Sequence, residues 1–350
     1  MASGAVIGAR QRVLAAILGP VLASCLAVQI GCRPSDRAST LPAALGDDEF
    51  WRLSAELSEP EGDFTHSDNL VSNEVYFPHT IRRLRARGGA YIGVGPEQNF
   101  SYIATLQPAM AFVIDIRSEN RNLHLLYKAL FELSADRADF VSRLFSRERP
   151  SDLGPSTSVE ELFAEYETVK PSRQLHDATA GLVRERLLET HHFPLSSDDL
   201  QWIDYALDAY YSDGPDIHYG RTLRIDAPGP SYRTLMTATD LDGESRSYLA
   251  SEEGFAVVKA LQVRNLIVPV IGDFGGTHAV QRVGDYIRQR NETLETFYGS
   301  NVEGYLNRAK LAVFCRNLAA LPHGSRSRYI GSKGMQSFGS KLRSCRARTR

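Results

Sequence analysis

The stretch GGAYIGVGPEQN at residues 88–99, followed by the apolar run AFVI at 111–114 and then Asp115, decides the fold. It reads as a strand over Ala90–Val94, a glycine turn opening a helix over 96–106, and a second, buried strand that ends in an acid. That succession is how a doubly wound α/β domain grips the adenosine part of a cofactor. Gly93 and Gly95 let the backbone turn sharply and admit a ligand where a Cβ would block it. Pro96 suits the first helical position, where its missing N–H costs nothing. Asp115 stands 22 residues after Gly93, placed to accept hydrogen bonds from ribose hydroxyls. Asn99, in the first turn of the helix, and Arg117, just past the second strand, complete the expected cofactor contacts.

Charge separates the candidate cofactors. A dinucleotide fingerprint would continue with a third glycine at position 98, but Gln98 stands there, and Glu97 puts a negative charge where a pyrophosphate would meet the helix N-terminus. This argues against NAD, FAD and ATP, and so against a nicotinamide oxidoreductase. S-adenosylmethionine carries a sulfonium and an ammonium and no phosphate, so a carboxylate beside the turn is tolerated or favourable. The plainer use of Glu97 is to complement the helix dipole on an exposed first turn.

Longer runs carry a resemblance. SDNLVSNE at 67–74, GVGPEQNFSYIA at 93–104, FVIDIR at 112–117, LLYKALFELSADRADFVSRLFSR at 125–147, SYLASEE at 247–253, NLIVPVIGDFGG at 265–276 and FYGSNVEGYL at 297–306 resemble a family of uncharacterised bacterial proteins. That family looks like the class I S-adenosylmethionine-dependent methyltransferases. The resemblance spans about 50–329 and implies a Rossmann-like fold and S-adenosylmethionine as cofactor, without settling an activity. The usual methyltransferase motif has an acid two residues before its first glycine and a third alternate glycine; here those positions are Tyr91 and Glu97.

The rest of the chain continues the α/β alternation. A short amphipathic helix over 47–61 is anchored by Phe50, Trp51 and Leu53, and a polar segment with Asp68, Asn69, Asn73 and Glu74 follows it. Beyond the second strand, Ser118 and Asp136 can cap helices whose leucines and aromatics are core. From 148 to about 230, prolines punctuate short helices, which reads as a helical insertion covering the carboxyl edge of the sheet. Then come an expected strand over 232–239 leading to Asp240, a helix over 252–263, and a strand over 265–271 leading to Asp273. Pro269 within that strand deletes a ladder donor and implies an edge, a bulge or a short strand. A helix over 277–290, a strand over 296–298 and a helix over 302–318, capped by Ser300 and Asn301, complete the expected domain of residues 47–330. The fold class is α/β, Rossmann-like and doubly wound, with a mostly parallel sheet and a helical insertion.

Ligands of open α/β sheets collect at the carboxyl ends of strands. The expected cofactor residues are therefore Gly93, Gly95, Glu97, Asn99, Asp115 and Arg117, with Asp242, Asn301 and Glu303 shaping a substrate pocket. Methyl transfer from a sulfonium is an in-line displacement that needs alignment, and a base only when the acceptor must lose a proton. Asp240 and Asp273 are the base candidates; their other reading is as turn and capping residues. A domain that keeps the fold without catalysis is the competing functional class.

Composition bounds the partners. At 350 residues, 43% hydrophobic and 23% charged, the chain is an ordinary globular one. A net charge of −2 gives no bulk affinity for nucleic acid. No acid follows Glu303, however, and Ser, Gly and basic residues dominate from 331 to 350, which reads as a disordered cationic tail able to meet an anionic membrane surface. At the other end, Arg10 and Arg12 precede an apolar stretch over 13–30, the layout of a secretory signal within residues 1–32. Leu22-Ala23-Ser24-Cys25 resembles a lipobox, with Cys25 the expected lipidation site and Cys32 a second candidate; unprocessed, the stretch is long enough to anchor in a membrane. The expected location is the bacterial cell envelope, with an envelope-associated or small-molecule acceptor; a wrongly assigned start would leave the chain cytoplasmic. Cys315 and Cys345 form no evident disulfide framework, no metal motif is present, and His191 and His192 read as surface residues.

Overall fold

A computed structural model describes residues 39–62, 64, 68–86, 88–222 and 229–348. The expected signal segment, with Cys25 and Cys32, lies outside the described residues. In chain order the elements are α1 (Asp47–Leu57), α2 (Phe77–Ile81), β1 (Ala90–Val94), α3 (Gln98–Leu106), β2 (Met110–Asp115), α4 (Ser118–Leu133) and α5 (Arg137–Phe145). Next come α6 (Val159–Thr168), α7 (Arg173–Glu185), α8 (Ser197–Asp213), α9 (Tyr232–Thr237) and α10 (Glu252–Val263). The chain closes with β3 (Ile267–Ile271), α11 (Ala279–Gln289), β4 (Leu294–Ser300), α12 (Arg308–Ala320), β5 (His323–Gly331), β6 (Gly334–Ser337) and α13 (Phe338–Arg348).

One mixed sheet orders these strands β3-β2-β1-β4-β5-β6. The neighbours from β3 through β5 are parallel, and β6 returns antiparallel along β5. The chain starts at β1 in the middle, winds outward to β2 and β3, then crosses to β4 on the other side. The winding therefore reverses between β1 and β4, and a crevice opens there at the strand carboxyl ends. Every residue of β2 is buried, as a parallel strand covered by helices on both faces requires.

Pro269 sits where a strand tolerates proline, because β3 is an edge. Helix α1 closes that edge: Ser54 Oγ donates to the Pro269 carbonyl at 2.6 Å, and the Ile271 N–H donates to Ser58 Oγ at 2.9 Å. Phe50 and Leu53 bury α1 against the core. The edge that would otherwise invite strand pairing is satisfied within the chain.

Five expectations fail, each for a physical reason. Residues 232–237 are helix α9, not a strand: Tyr232, Leu235 and Met236 are buried at helical spacing, and Ser231 Oγ caps the Thr234 N–H at 3.1 Å. The helix expected over 302–318 begins at Arg308, where Asn307 accepts from the Lys310 N–H at 2.9 Å; residues Val302–Gly304 make only one 3-10 turn. The cationic segment 331–348 is folded. Its β6 pairs with β5, and α13 buries Phe338, Lys341 and Cys345 on one stripe. Cys345 is also disulfide-bonded to Cys315 on α12, with a Cα–Cα distance of 5.4 Å, contrary to the expectation that these cysteines are unlinked. Finally, His191 is buried, its ring nitrogens 2.8 Å from Asp47 Oδ1 and 2.7 Å from Glu132 Oε2, and it ties α1 to α4.

The helical insertion packs mainly on α4 and α5. It braces the 68–70 segment: Tyr210 donates to the Leu70 carbonyl at 2.7 Å, and Tyr205 and Arg221 hold the Asp68 carboxylate.

Candidate functional site

The turn after β1 is built by its own side chains. A Cβ on Gly93 would lie 1.9 Å from Asn99 Oδ1 and 2.7 Å from the Tyr91 ring, so the glycine makes room for the 2.9 Å bond from Tyr91 Oη to Asn99, not for a ligand. Asn99 is fully buried, and its Nδ2 reaches the carbonyls of Val94, Gly95 and Pro96 at 2.8 to 3.0 Å. It staples the turn and touches no ligand space. His124 Nε2 holds the Gly95 carbonyl at 2.9 Å, and burial pushes its pKa down to about 4, so the ring is neutral and Nε2 carries the proton. Gly95 alone meets the original expectation: at φ +76° it takes a left-handed conformation, and its missing side chain faces open space in the crevice. Pro96 precedes α3, which begins at Gln98, so it is a turn residue and not the first helical position.

Glu97 is neither exposed nor beside the ligand space. It is 0% exposed, and both carboxylate oxygens lie 3.2 Å from the Ser72 N–H. Burial pushes its pKa up to about 7, against which the bonds from Ser72 work. Glu97 is the N-cap residue of α3, but its carboxyl makes no side-chain cap there and is turned onto Ser72 instead. Facing away from the crevice, Glu97 exerts no repulsion on a pyrophosphate there; Gln98 in place of a third glycine is the feature that still departs from a dinucleotide turn.

Asp115 does line the crevice, at the end of β2, with Arg117 folded back on it. Oδ1 accepts from the Arg117 backbone N–H at 3.1 Å and from Nε at 3.0 Å, while Oδ2 accepts from the other guanidinium nitrogen at 3.2 Å. A carboxylate has about four acceptor positions, so Arg117 leaves about one, on Oδ2. Asp115 can take one hydroxyl, not two, and its charge is already matched. Arg117 also donates to the Asp68 carbonyl at 2.9 Å and lies over the Phe64 ring. It is a positioning group behind Asp115.

The remaining sequence candidates separate into two groups. Asp273 and Asn301 line the same crevice. Asp273 follows β3, accepts the Gly275 N–H at 2.7 Å, and pairs with Lys310 Nζ at 2.7 Å. Asp240, Asp242 and Glu303 are elsewhere. Asp240 follows helix α9, accepts the N–H groups of Asp242 and Glu244 and pairs with Arg246 at 2.9 Å, which is a turn role. Asp242 pairs with Arg82, and Glu303 pairs with Lys341 and Arg348.

Sequence reasoning missed most of the wall. Asn69, Ser72 and Asn73 form one side; the polar residues of the run at 67–74 were the available signal. Tyr298 and Ser300, on β4, line another side and donate to Glu74, whose pKa burial raises despite those bonds. Phe64, Tyr219, Phe274 and Tyr305 add ring surface, which no local pattern separates from core aromatics. The result is a crevice at the β1/β4 reversal with aromatic walls and two internally paired charges, Asp115 with Arg117 and Asp273 with Lys310. Among the described residues no group of three His, Cys, Asp or Glu side chains could hold a metal ion, and no helix is long and apolar enough to cross a membrane.

A family model described as a domain of unknown function, DUF7790, matches residues 69–190 and 228–343. The match opens at Asn69 in the crevice wall and resumes just before α9. No curated protein matches the chain.

Proposed function

We propose that this chain, which belongs to the DUF7790 family, binds an adenosine-bearing ligand without a pyrophosphate in the crevice, S-adenosylmethionine being the first candidate, and acts as a methyltransferase on an acceptor not yet identified. The observation that carries this reading is the crevice at the β1/β4 reversal, with left-handed Gly95 on one side and Asp115 at the end of β2 on the other. One free acceptor position on Asp115 suits a ribose hydroxyl, the aromatic walls suit a purine face, and Gln98 stands where a dinucleotide turn has its third glycine. The Asp273–Lys310 pair offers an acid to an ammonium and a base to a carboxylate, which fits the zwitterionic end of an amino-acid-bearing ligand.

The Cys315–Cys345 bond supports an exported, envelope location, because disulfides persist in oxidising compartments. The same bond favours a second reading. S-adenosylmethionine is made in the cytoplasm, and of the two base candidates Asp240 is committed to a turn and Asp273 to Lys310. Both facts fit a domain that keeps the ligand site without catalysis. Calorimetry of the chain against S-adenosylmethionine, S-adenosylhomocysteine and NAD tests the proposal. Binding of the first two and not of NAD is expected; binding of NAD alone would overturn it, and tight binding of S-adenosylhomocysteine without turnover on any envelope acceptor would select the second reading.

A further inference from the structure

A second cavity adjoins the crevice. The two share Ser300 and Asn301, where the chain leaves β4. Its far walls come from the β5–β6 hairpin and α13, the segment expected to be a disordered tail. Lys333, Lys341 and Arg348 line it, with Glu303 the one acid among the lining residues. Lys341 is held there by burial: its side chain is 4% exposed, its ammonium pairs with Glu303 and stands 4.4 Å from the centre of the Tyr329 ring. Arg348 takes the other oxygen of Glu303, and Tyr329 donates to the first at 3.0 Å. Ser332, Gln336 and Ser344 add neutral hydrogen-bonding groups. Since no acid follows Glu303 in the chain, the hairpin and α13 can contribute no further carboxylate. Three cations to one anion leave the cavity with a formal excess of two positive charges, beside the place where the cofactor's reactive end is proposed to lie.

We propose that this cavity is the acceptor subsite and that it takes an anionic group, a carboxylate or a phosphate. The assignment rests on the cofactor reading of the crevice, since an acceptor subsite has meaning only beside a bound donor. An incoming anion would share Arg348 and Lys333 directly, with Lys341 and Glu303 fixing the floor, and charge-assisted bonds of this kind are the strong ones. Phosphate headgroups of lipids and small phosphorylated molecules present the same chemistry.

The test uses the full chain at fixed ionic strength, titrated calorimetrically with inorganic phosphate and with acetate, and separately with S-adenosylmethionine. Phosphate or acetate should bind, and the double substitution Lys333→Ala with Arg348→Ala should weaken that binding at least tenfold. The double substitution Arg326→Ala with Arg346→Ala removes the same two charges from exposed positions outside the cavity, and should change it less than twofold. Equal losses for the two variants would reduce the effect to bulk charge and overturn the proposal. S-adenosylmethionine binding without phosphate or acetate binding would overturn the subsite and leave the cofactor reading standing. Anion binding without any adenosine compound binding would overturn the acceptor role together with the cofactor reading. Cosedimentation with phosphatidylglycerol vesicles, lost in the Lys333→Ala, Arg348→Ala variant while free phosphate gives no heat, would assign the cations to a membrane surface and also overturn it.

Discussion

Glu97→Gln should change how stability depends on pH. In the native chain the Glu97 carboxyl is fully buried with a pKa of about 7, against 4.5 for the free side chain. An acid whose pKa is raised on folding is held in its protonated form by the native state, so its contribution is fully present below pH 4.5 and is lost as pH rises towards 7. The difference between about 7 and 4.5, at about 1.4 kcal/mol per tenfold, is about 3.4 kcal/mol, of which about 2.5 kcal/mol falls between pH 5 and 8. Glutamine keeps the shape and an oxygen for the Ser72 N–H but has no charge to bury, so the variant escapes this loss. Urea denaturation of both proteins from pH 5 to 8 should show the variant gaining about 2 to 3 kcal/mol relative to the parent across that window. A difference that stays constant with pH would refute the assignment of a buried, titrating carboxyl at the start of α3.

Three further outcomes follow from the same geometry. Gly93→Ala forces a Cβ into Asn99 Oδ1 at 1.9 Å, and a well-packed site that cannot relax should lose about 2 kcal/mol or more, read as a lower urea midpoint. Cys345→Ser opens a bridge closing a separation of 30 residues, worth about 3 to 4 kcal/mol in the chain-entropy account, and thermal melting with and without a thiol reductant should show the parent falling to the variant's midpoint. Asp115→Ala removes the one remaining acceptor for a ribose hydroxyl, a charge-assisted bond of about 1.5 to 3 kcal/mol, so S-adenosylhomocysteine should bind about ten- to a hundredfold more weakly; the urea midpoint of the same variant separates this from loss of the Arg117 partner.

The first four strands were legible because their signals are local, whereas β5 and β6 were not read at all. The span of β1 matches the residues read from the sequence, β2 differs by one residue, and of the edge, bulge or short strand that Pro269 implied, β3 is the edge. The C-terminal segment was not legible, because composition rich in Ser, Gly and Arg looks the same whether or not Phe338 and Cys345 find a surface to bury against. Tyr232, Leu235 and Met236 fit a strand by residue type and a helix by spacing, and only the Ser231 cap decides between them. The site itself was half visible. Gly95, Asp115, Asp273 and Asn301 converge as strand-end logic requires, whereas Glu97 and Asn99 turn inward, and Asp240 lost its place when its supposed strand proved to be a helix. Wall residues from 69–73 and from Tyr219 come from segments far apart in sequence, and nothing in either segment alone announces that they meet.

The most direct test of the central claim is a crystal structure of the chain with S-adenosylhomocysteine at saturating concentration. The account predicts a purine and ribose between the Gly95 turn and Asp115, with one hydroxyl on Asp115 Oδ2 and the amino-acid end towards Asp273 and Lys310. An empty crevice under those conditions, or the nucleoside bound elsewhere on the chain, would contradict it.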